Sequence, residues 1–498
     1  MKNIKKNIGL VIILSIFVGC SDVVEFDPHD EYQVTEVDYL QTASDYETMA
    51  VSCYTPTQWL NQLVVIGDIA SDNAVAGGEN ASDAVALQQI DDYTIQTNNS
   101  TIQDLWLSAY EGVNRTNYLI SYRDQNSVGE TIDFDRKGEM YGEVQFLRAY
   151  YYFNLVRMFG DVVLFTDRKL DLTDFGTLER SPKEEVYAQI EVDLLAAIAA
   201  LPTVQSQQGR VTKYAAQALL GKVYLYEDKF TEAASILDNV VNGPFTLVGT
   251  FDDIFLLSGE NGSEAVFEVQ YSNGQPYYNW GGQTRGQGNY AVQQCGVRGI
   301  SGTAEMPFNA GWSTNLPTQD LASAYEEGDQ RKDATVFDVA AYAAENPSLE
   351  VVFQVAPYKN TDLYNKKYLP RKGETSGQPE LNYENNQRII RYADVLLMAA
   401  EANLRATTAN SGKAQTYLDL VRDRAFGDVD HRLTATVQNV WEERRLELAM
   451  EGDRFFDLVR TGQAAAVLGA SYNPATNGLF PIPQSEVEDS GLTQNEGY

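Results

Sequence analysis

Residues 142–165, GEVQFLRAYYYFNLVRMFGDVVLF, decide the fold. Val144, Leu147, Tyr151, Leu155 and Met158 recur at spacings of three and four and form one apolar stripe along a helix. Phe146, Tyr150, Tyr151, Tyr152 and Phe153 widen that stripe until most of the helix surface needs cover. Gly160-Asp161 stops the helix, and Val162-Val163-Leu164-Phe165 reads as a short extended run. A helix with so little polar surface is expected within a stack of helix pairs, each covering its neighbour.

Working outward, the spacing predicts early helices over 42–60, 102–125 and 136–159. A further helix follows Ser181-Pro182, with Ser as cap and Pro in the first turn, and carries Val186, Ile190, Leu194 and Ile198. Two helices of similar length, 212–226 and 230–240, flank the tight turn Glu227-Asp228-Lys229. Ala215, Ala216, Ala218, Gly221, Ala233 and Ala234 are small enough to let them cross closely. This is the look of a tetratricopeptide unit, though no strict period of about 34 residues repeats. From about 243 to 386 the texture changes: Gly and Asn are frequent, helical periodicity fades, and aromatics stand singly among polar residues. Helices are expected again at 387–404, 412–424 and 437–451, and after Gly452 a last short one at 453–461. The fold class is therefore mostly α: a tetratricopeptide-like scaffold (43–242 and 387–463) with an irregular, loop-rich insertion (243–386). No Pro/Ser-rich linker divides residues 43–498, which read as one folded unit.

The first residues have another role. Lys2, Lys5 and Lys6 precede an apolar run at 8–18, the pattern of a signal peptide over residues 1–19. The run ends Phe17-Val18-Gly19-Cys20, which looks like a bacterial lipobox, implying cleavage before Cys20 and its lipidation. Ser21-Asp22 with Glu25, Asp27 and Asp30 resembles the acidic signal that exports lipoproteins of the Bacteroidetes to the cell surface. Residues 20–42 thus read as lipidated cysteine and polar tether. No later segment supplies the roughly 18 apolar residues of a membrane span.

The chain of 498 residues carries a formal charge of −33, and loss of three signal-peptide lysines takes it to −36. That balance argues against nucleic acid, whose phosphates demand Lys and Arg, and tilts the ligand away from anionic polysaccharides. With Cys20 lipidated, Cys53 and Cys295 are left to pair or to stay buried and free.

The C-terminal blocks carry a family resemblance. Residues 391–402, RYADVLLMAAEA, are similar to the RYADVLLM-AEA helix of the SusD/RagB family of outer-membrane nutrient-binding lipoproteins. Val421-Arg422-Asp423-Arg424-Ala425 resembles its VR-RA turn, and residues 443–454, ERRLELAMEGDR, its ERR-EL--EG-R segment. The terminal FPIP (480–483) and the QN-GY pattern at 494–498 are also in place, and the opening 142–165 block is similar to the family's signature. The resemblance implies a surface protein that captures poly- or oligosaccharide. It implies a lipid anchor in the outer membrane and a TonB-dependent transporter of the SusC type as partner. It implies no cofactor, and no enzyme activity. A neutral β-glucan such as laminarin is the expected ligand; a RagB-like peptide binder and, less favoured, a surface glycoside hydrolase are the alternatives.

These motif blocks read as scaffold. Arg391, Asp394, Glu401 and the 443–454 charges are expected to pair at i,i+3 and i,i+4 spacing, with Arg148 and Glu143 also structural. Trp106 and Tyr110, four apart, are expected in the core. Binding residues are sought where flat rings meet polar groups, because sugars offer apolar faces fringed by hydroxyls. The best cluster is Tyr277-Tyr278-Asn279-Trp280, followed by the Gly-rich 281–290 with Arg285 and Tyr290; the bland alternative is a loop folded back on the body. Trp312 is a second candidate. The GDIASDN segment at 67–73, similar to the family's GD--SDD, offers Asp72 and Asn73, or else a plain Asx turn. Trp59 leans to the core.

Catalytic signals are thin: His29 and His431 stand alone, and no phosphate-binding or dinucleotide fingerprint occurs. A glycosidase needs only two carboxylates about 5–10 Å apart, and nothing marks out such a pair. The acids Asp167, Asp171 and Asp174 lack the calcium-loop pattern; they indicate no metal, while leaving room for a structural cation.

Overall fold

The computed structural model describes residues 39–170, 173–174, 176–280 and 285–498. The signal peptide, Cys20, most of the tether, His29, Asp171 and residues 281–284 lie outside the described residues.

Helices α1 (Ala43–Trp59), α2 (Gln62–Ile69), α3 (Val85–Asp91) and α4 (Ser100–Ser121) open the chain. They are followed by α5 (Lys137–Phe159), α6 (Lys183–Ala200), α7 (Lys213–Tyr226) and α8 (Phe230–Val241). Helix α5 contains the opening stretch, and between Met140 and Phe159 only Gln145 and Arg157 escape full burial. The cover it needs comes from α4 on one side and α6 on the other. Successive helices pack pairwise from α4 to α8, with α1 laid against α4 and α5. Gly160, at φ 71°, ends α5. Val162 then pairs with Ser181, which therefore serves a strand-like bridge and makes no cap. Pro182 occupies the cap position of α6 without a side-chain bond, correcting the expected Ser cap.

The next helix to pack on α8 is not its chain neighbour but α13 (Tyr392–Arg405), which carries α14 (Ser411–Phe426) and α15 (Val437–Glu447). Between α8 and α13 lie short helices, α9 (Ala291–Cys295), α10 (Gln319–Ala324), α11 (Arg331–Thr335) and α12 (Val339–Glu345), and loops. Three antiparallel ladders tie them down: β1 (Ala74–Val75) with β3 (Leu316–Pro317), β2 (Ala265–Val269) with β6 (Gln387–Arg391), and β4 (Val336–Asp338) with β5 (Leu363–Asn365). Residues 387–391, expected as the first turn of a helix, are strand β6; their N–H and C=O groups are taken by β2 before the helix starts at Tyr392. Residues 448–451, expected as helix, join Gly452, the expected interruption, and Asp453, expected to open the last helix, in a turn before α16 (Arg454–Arg460).

That turn explains the GD and EG motifs. A Cβ on Gly67 would stand 1.8 Å from the Gly452 carbonyl oxygen, so α2 and the turn cross backbone on backbone. Gly452 sits at φ 89°, where a side chain is strained. Its N–H donates to the buried Asp68 carboxylate at 3.1 Å.

The family charges do hold the fold, but mostly not at i,i+4. Arg391 pairs with Glu264, Glu447 and Glu451 from three elements, not with Asp394. Asp394 instead meets Arg444 and Lys222, and Glu401 meets Arg460. Glu447 accepts from Arg391, Arg424 and Arg331. Burial alone would raise its carboxyl; Arg424, Arg391 and Arg331 hold it well below the usual range instead. Arg148 chelates Asp193, and Glu143 accepts from Tyr54 and Arg210. Trp106 is buried against Phe159, while Tyr110 beside it keeps partial exposure. Cys53 and Cys295 are both buried and free, their thiols pushed up by burial. Among the described residues no helix is long and apolar enough to cross a membrane.

Candidate functional site

A cleft of about 720 Å³ opens where the insertion meets the first helices. Trp280 and Trp312, 32 residues apart in sequence, stand on its wall with ring centroids 5.8 Å apart and planes inclined at 41°. Trp280 is 62% exposed, an unusual cost for the largest apolar side chain unless a ligand covers it. Tyr290, Gln294, Gln62 and Thr314 add a mixed aromatic and amide lining. The opposite wall is the loop before α3, with Glu79, Asp83 and Ala84, and the first two turns of α4, with Ser100, Thr101 and Asp104.

Each tryptophan is fixed by backbone bonds. Trp312 N–H donates to the Gln293 carbonyl at 2.8 Å, and its own carbonyl accepts from Arg298 at 2.6 Å. Arg298 also pairs with Asp83 at 2.7 Å, joining the two walls. Trp280 N–H donates to Gln378 Oε1 at 3.1 Å and its indole Nε1 to Glu380 Oε2 at 3.2 Å. Beneath them Tyr278 is buried in a small cluster with Trp59 and Leu381, edge-on to Tyr290 at 5.4 Å. Asn382 grips Tyr278 at both its N–H and its C=O. Burial pushes the phenols of Tyr278 and Tyr290 up, so both stay neutral.

Arg285 is not itself part of the lining but backs it through Asp104. It donates to Ser108 at 2.8 Å, pairs with Asp104 at 3.4 Å and lies 4.6 Å from the centre of the Trp59 ring. Arg115 lies over the same ring at 5.1 Å, so Trp59 meets two guanidiniums. Arg115 also takes the Ser52 carbonyl at 3.1 Å, the acceptor that Pro56 inside α1 leaves without its helical N–H. Burial pushes the Asp104 carboxyl up, partly offset by Arg285. The lining carries four carboxylates (Glu79, Asp83, Asp104, Glu380) against one guanidinium, Arg298.

Of the residues singled out from sequence, the structure brings Trp280, Trp312 and Tyr290 to one cleft. Tyr278 and Arg285 support it from below. Tyr277 is half-buried and turned to Gly377, where an added Cβ would lie 2.9 Å from its ring. Asp72 and Asn73 are elsewhere: Asp72 is clamped by Arg454 and Arg445, and buried Asn73 accepts from Arg445 at 3.0 Å. Burial would raise Asp72, but the Arg454 bond and the charges of Arg454 and Arg445 leave its carboxyl lowered. Sequence reasoning missed the 79–85 loop, Asp104, Arg298 and the 378–382 segment. The last carried no periodic signal, because residues 378–381 form a turn closed by the Leu381 N–H on the Gln378 carbonyl at 3.0 Å.

A helical scaffold bearing an aromatic cleft on a loop-rich insertion defines a class of binding proteins, and comparison with known proteins identifies it. Residues 25–225 match the family described as starch-binding and associating with the outer membrane, and residues 263–498 match the SusD family. The chain belongs to the SusD/RagB family. A solved "laminarin binding SusD-like protein" is 32% identical, with a TM-score of 0.82 over 92% of this chain and 100% of that one. Surface glycan-binding protein A from Bacteroides thetaiotaomicron, solved with laminarihexaose, is 27% identical with a TM-score of 0.79, over 91% of this chain and 99% of that one. SusD-like protein P2 of Formosa agariphila is 26% identical, covering 99% of this chain and 100% of the relative.

Proposed function

We propose that this protein captures a neutral glucan at the cell surface, seating consecutive sugar rings on Trp280 and Trp312. The observation that carries the reading is the tryptophan pair, Trp280 exposed and Trp312 half-buried, 5.8 Å apart on a cleft rich in hydrogen-bonding groups. Apolar sugar faces lie against the indoles, while Gln294, Thr314 and the exposed Glu79 take hydroxyl hydrogens. Four acids against one arginine make the cleft hostile to uronate or sulfate groups. Two relatives named for laminarin or solved with laminarihexaose support a β-1,3-linked glucan as the neutral ligand. In this reading Cys20 is lipidated and anchors the chain to the outer membrane. The captured chain passes to a SusC-like TonB-dependent transporter, and no bond in the glycan is broken.

The test uses unlipidated protein beginning after Cys20, run in native gels containing laminarin or sulfated laminarin, with laminarihexaose titrated by calorimetry. Laminarin is expected to retard it, sulfated laminarin to fail, and no sugar to be released. Trp280→Ala and Trp312→Ala are each expected to weaken laminarihexaose binding about tenfold, the loss of one stacked ring. Unchanged affinity in the double variant would remove the site, and sugar release would remove the binder.

A further inference from the structure

Trp280 owes its pose to a second segment of chain. Residues 378–381 form a turn, closed by the Leu381 N–H on the Gln378 carbonyl at 3.0 Å, and this turn with Asn382 presents Gln378, Glu380 and Asn382 to residues 278–280. Asn382 fixes the Tyr278 peptide by two bonds, at 2.9 and 3.0 Å, and Gln378 takes the Trp280 N–H. Those three bonds determine where the Trp280 backbone lies, but an exposed indole still turns about its two side-chain torsions. The remaining bond, from indole Nε1 to Glu380 Oε2 at 3.2 Å, is the one that stops that rotation. Its acceptor is charged, which makes it stronger than a neutral contact. An indole N–H given to a carboxylate also enriches the electron density of the ring face, the face that would receive sugar C–H groups.

We infer that Glu380 is a positioning residue of the cleft: acting through the Trp280 indole N–H, it holds that ring at its 41° inclination to Trp312 and sets the geometry that the ligand meets. The inference rests on the glucan-capture reading for its affinity consequence, but its structural half stands without a ligand. Glu380 is exposed, so its replacement leaves the fold intact.

The experiment has two readouts. Two indoles this close, at a fixed angle, couple their electronic transitions and give a paired positive and negative band in far-ultraviolet circular dichroism. Difference spectra against Trp280→Phe and Trp312→Phe isolate that band in the free protein. Glu380→Ala is expected to diminish it by more than half, and Glu380→Gln, which keeps an acceptor oxygen, to retain most of it. On laminarihexaose, Glu380→Ala is expected to cost about fivefold in affinity, in keeping with loss of one partly exposed charged hydrogen bond. In a Trp280→Phe background, which has a ring but no N–H, Glu380→Ala is expected to cost less than about twofold. An unchanged dichroic band in Glu380→Ala overturns the inference. So does an equal affinity loss in both backgrounds, which would make Glu380 a direct ligand contact. If the wild type binds no glucan at all, the proposed function fails while the dichroic test still decides the role of Glu380.

Discussion

Asp68 is fully buried, and its two oxygens accept only from the Gly452 N–H and the Asn315 amide, each at 3.1 Å. Burial pushes its carboxyl from an ordinary 3.8 up to about 7, against the pull of those two bonds and of Lys367. The folded state therefore holds the proton more tightly than the unfolded state. The resulting stability is fully present below pH 3.8 and is lost as pH rises through about 7. A displacement of that size corresponds to about 4 kcal/mol, the cost of ionising Asp68 in place. Asp68→Asn cannot ionise. Its Oδ1 can keep the Gly452 N–H, and its Nδ2 would face Asn315, whose own Oδ1 has no hydrogen-bond partner and is presented by an amide flip. Urea unfolding of wild type and variant between pH 4 and pH 8.5 measures the difference between two stability curves, from which other titrating groups such as Glu260 cancel. The variant is expected to gain on wild type as pH rises, by about 4 kcal/mol over the window and never faster than about 1.4 kcal/mol per pH unit. Parallel curves would refute the reasoning, as would a variant that loses ground with rising pH.

Two further outcomes test the scaffold. Glu447→Gln removes the carboxylate shared by Arg331, Arg391 and Arg424 and is expected to destabilise by about 3–5 kcal/mol, read as a fall in the urea midpoint; a loss below about 1 kcal/mol would show the cluster to be slack. Gly452→Ala would place a Cβ 2.6 Å from Val64 Cα and is expected to cost about 3 kcal/mol or more. The control Gly412→Ala, in α14, meets only Asn410 Oδ1 at 3.6 Å and is expected to stabilise slightly, both variants being read by their urea midpoints.

Much of the fold was legible because helical periodicity is local. The stripe in α5, the small residues of α7 and α8 and the family blocks each declare themselves within one element. Strand β6 did not, because its Ile389 and Ile390 run straight into the helical pattern of α13 and its partner β2 lies over a hundred residues earlier. The ion pairs misled for the same reason: Arg391 has Asp394 nearby in sequence, yet it finds Glu264, Glu447 and Glu451 in space. Trp280 and Trp312 were visible as rings in Gly/Asn-rich surroundings. Their cleft was not, since its walls come from residues 79–104, 280–314 and 380, and no local signal joins those. Asp72 and Asn73 looked like ligand contacts only until Arg445 and Arg454, more than 370 residues later, occupied them.

The crossing of α2 with the 448–453 turn is one of several places where the end of the chain completes its beginning. Arg454 reaches Asp72, Gln484 N–H takes the Thr97 carbonyl, and Phe480 N–H and the Asn495 amide take the last carbonyls of α5 at Met158 and Phe159. Helix α2 and the end of α5 are thus covered by chain that follows them by more than 300 residues. Until the final fifty residues exist, α2 and the end of α5 expose the apolar and backbone groups that proteases and chaperones recognise. Without residues 480–498 the carbonyls of Met158 and Phe159 lose these partners, at the end of the helix on which the fold is built.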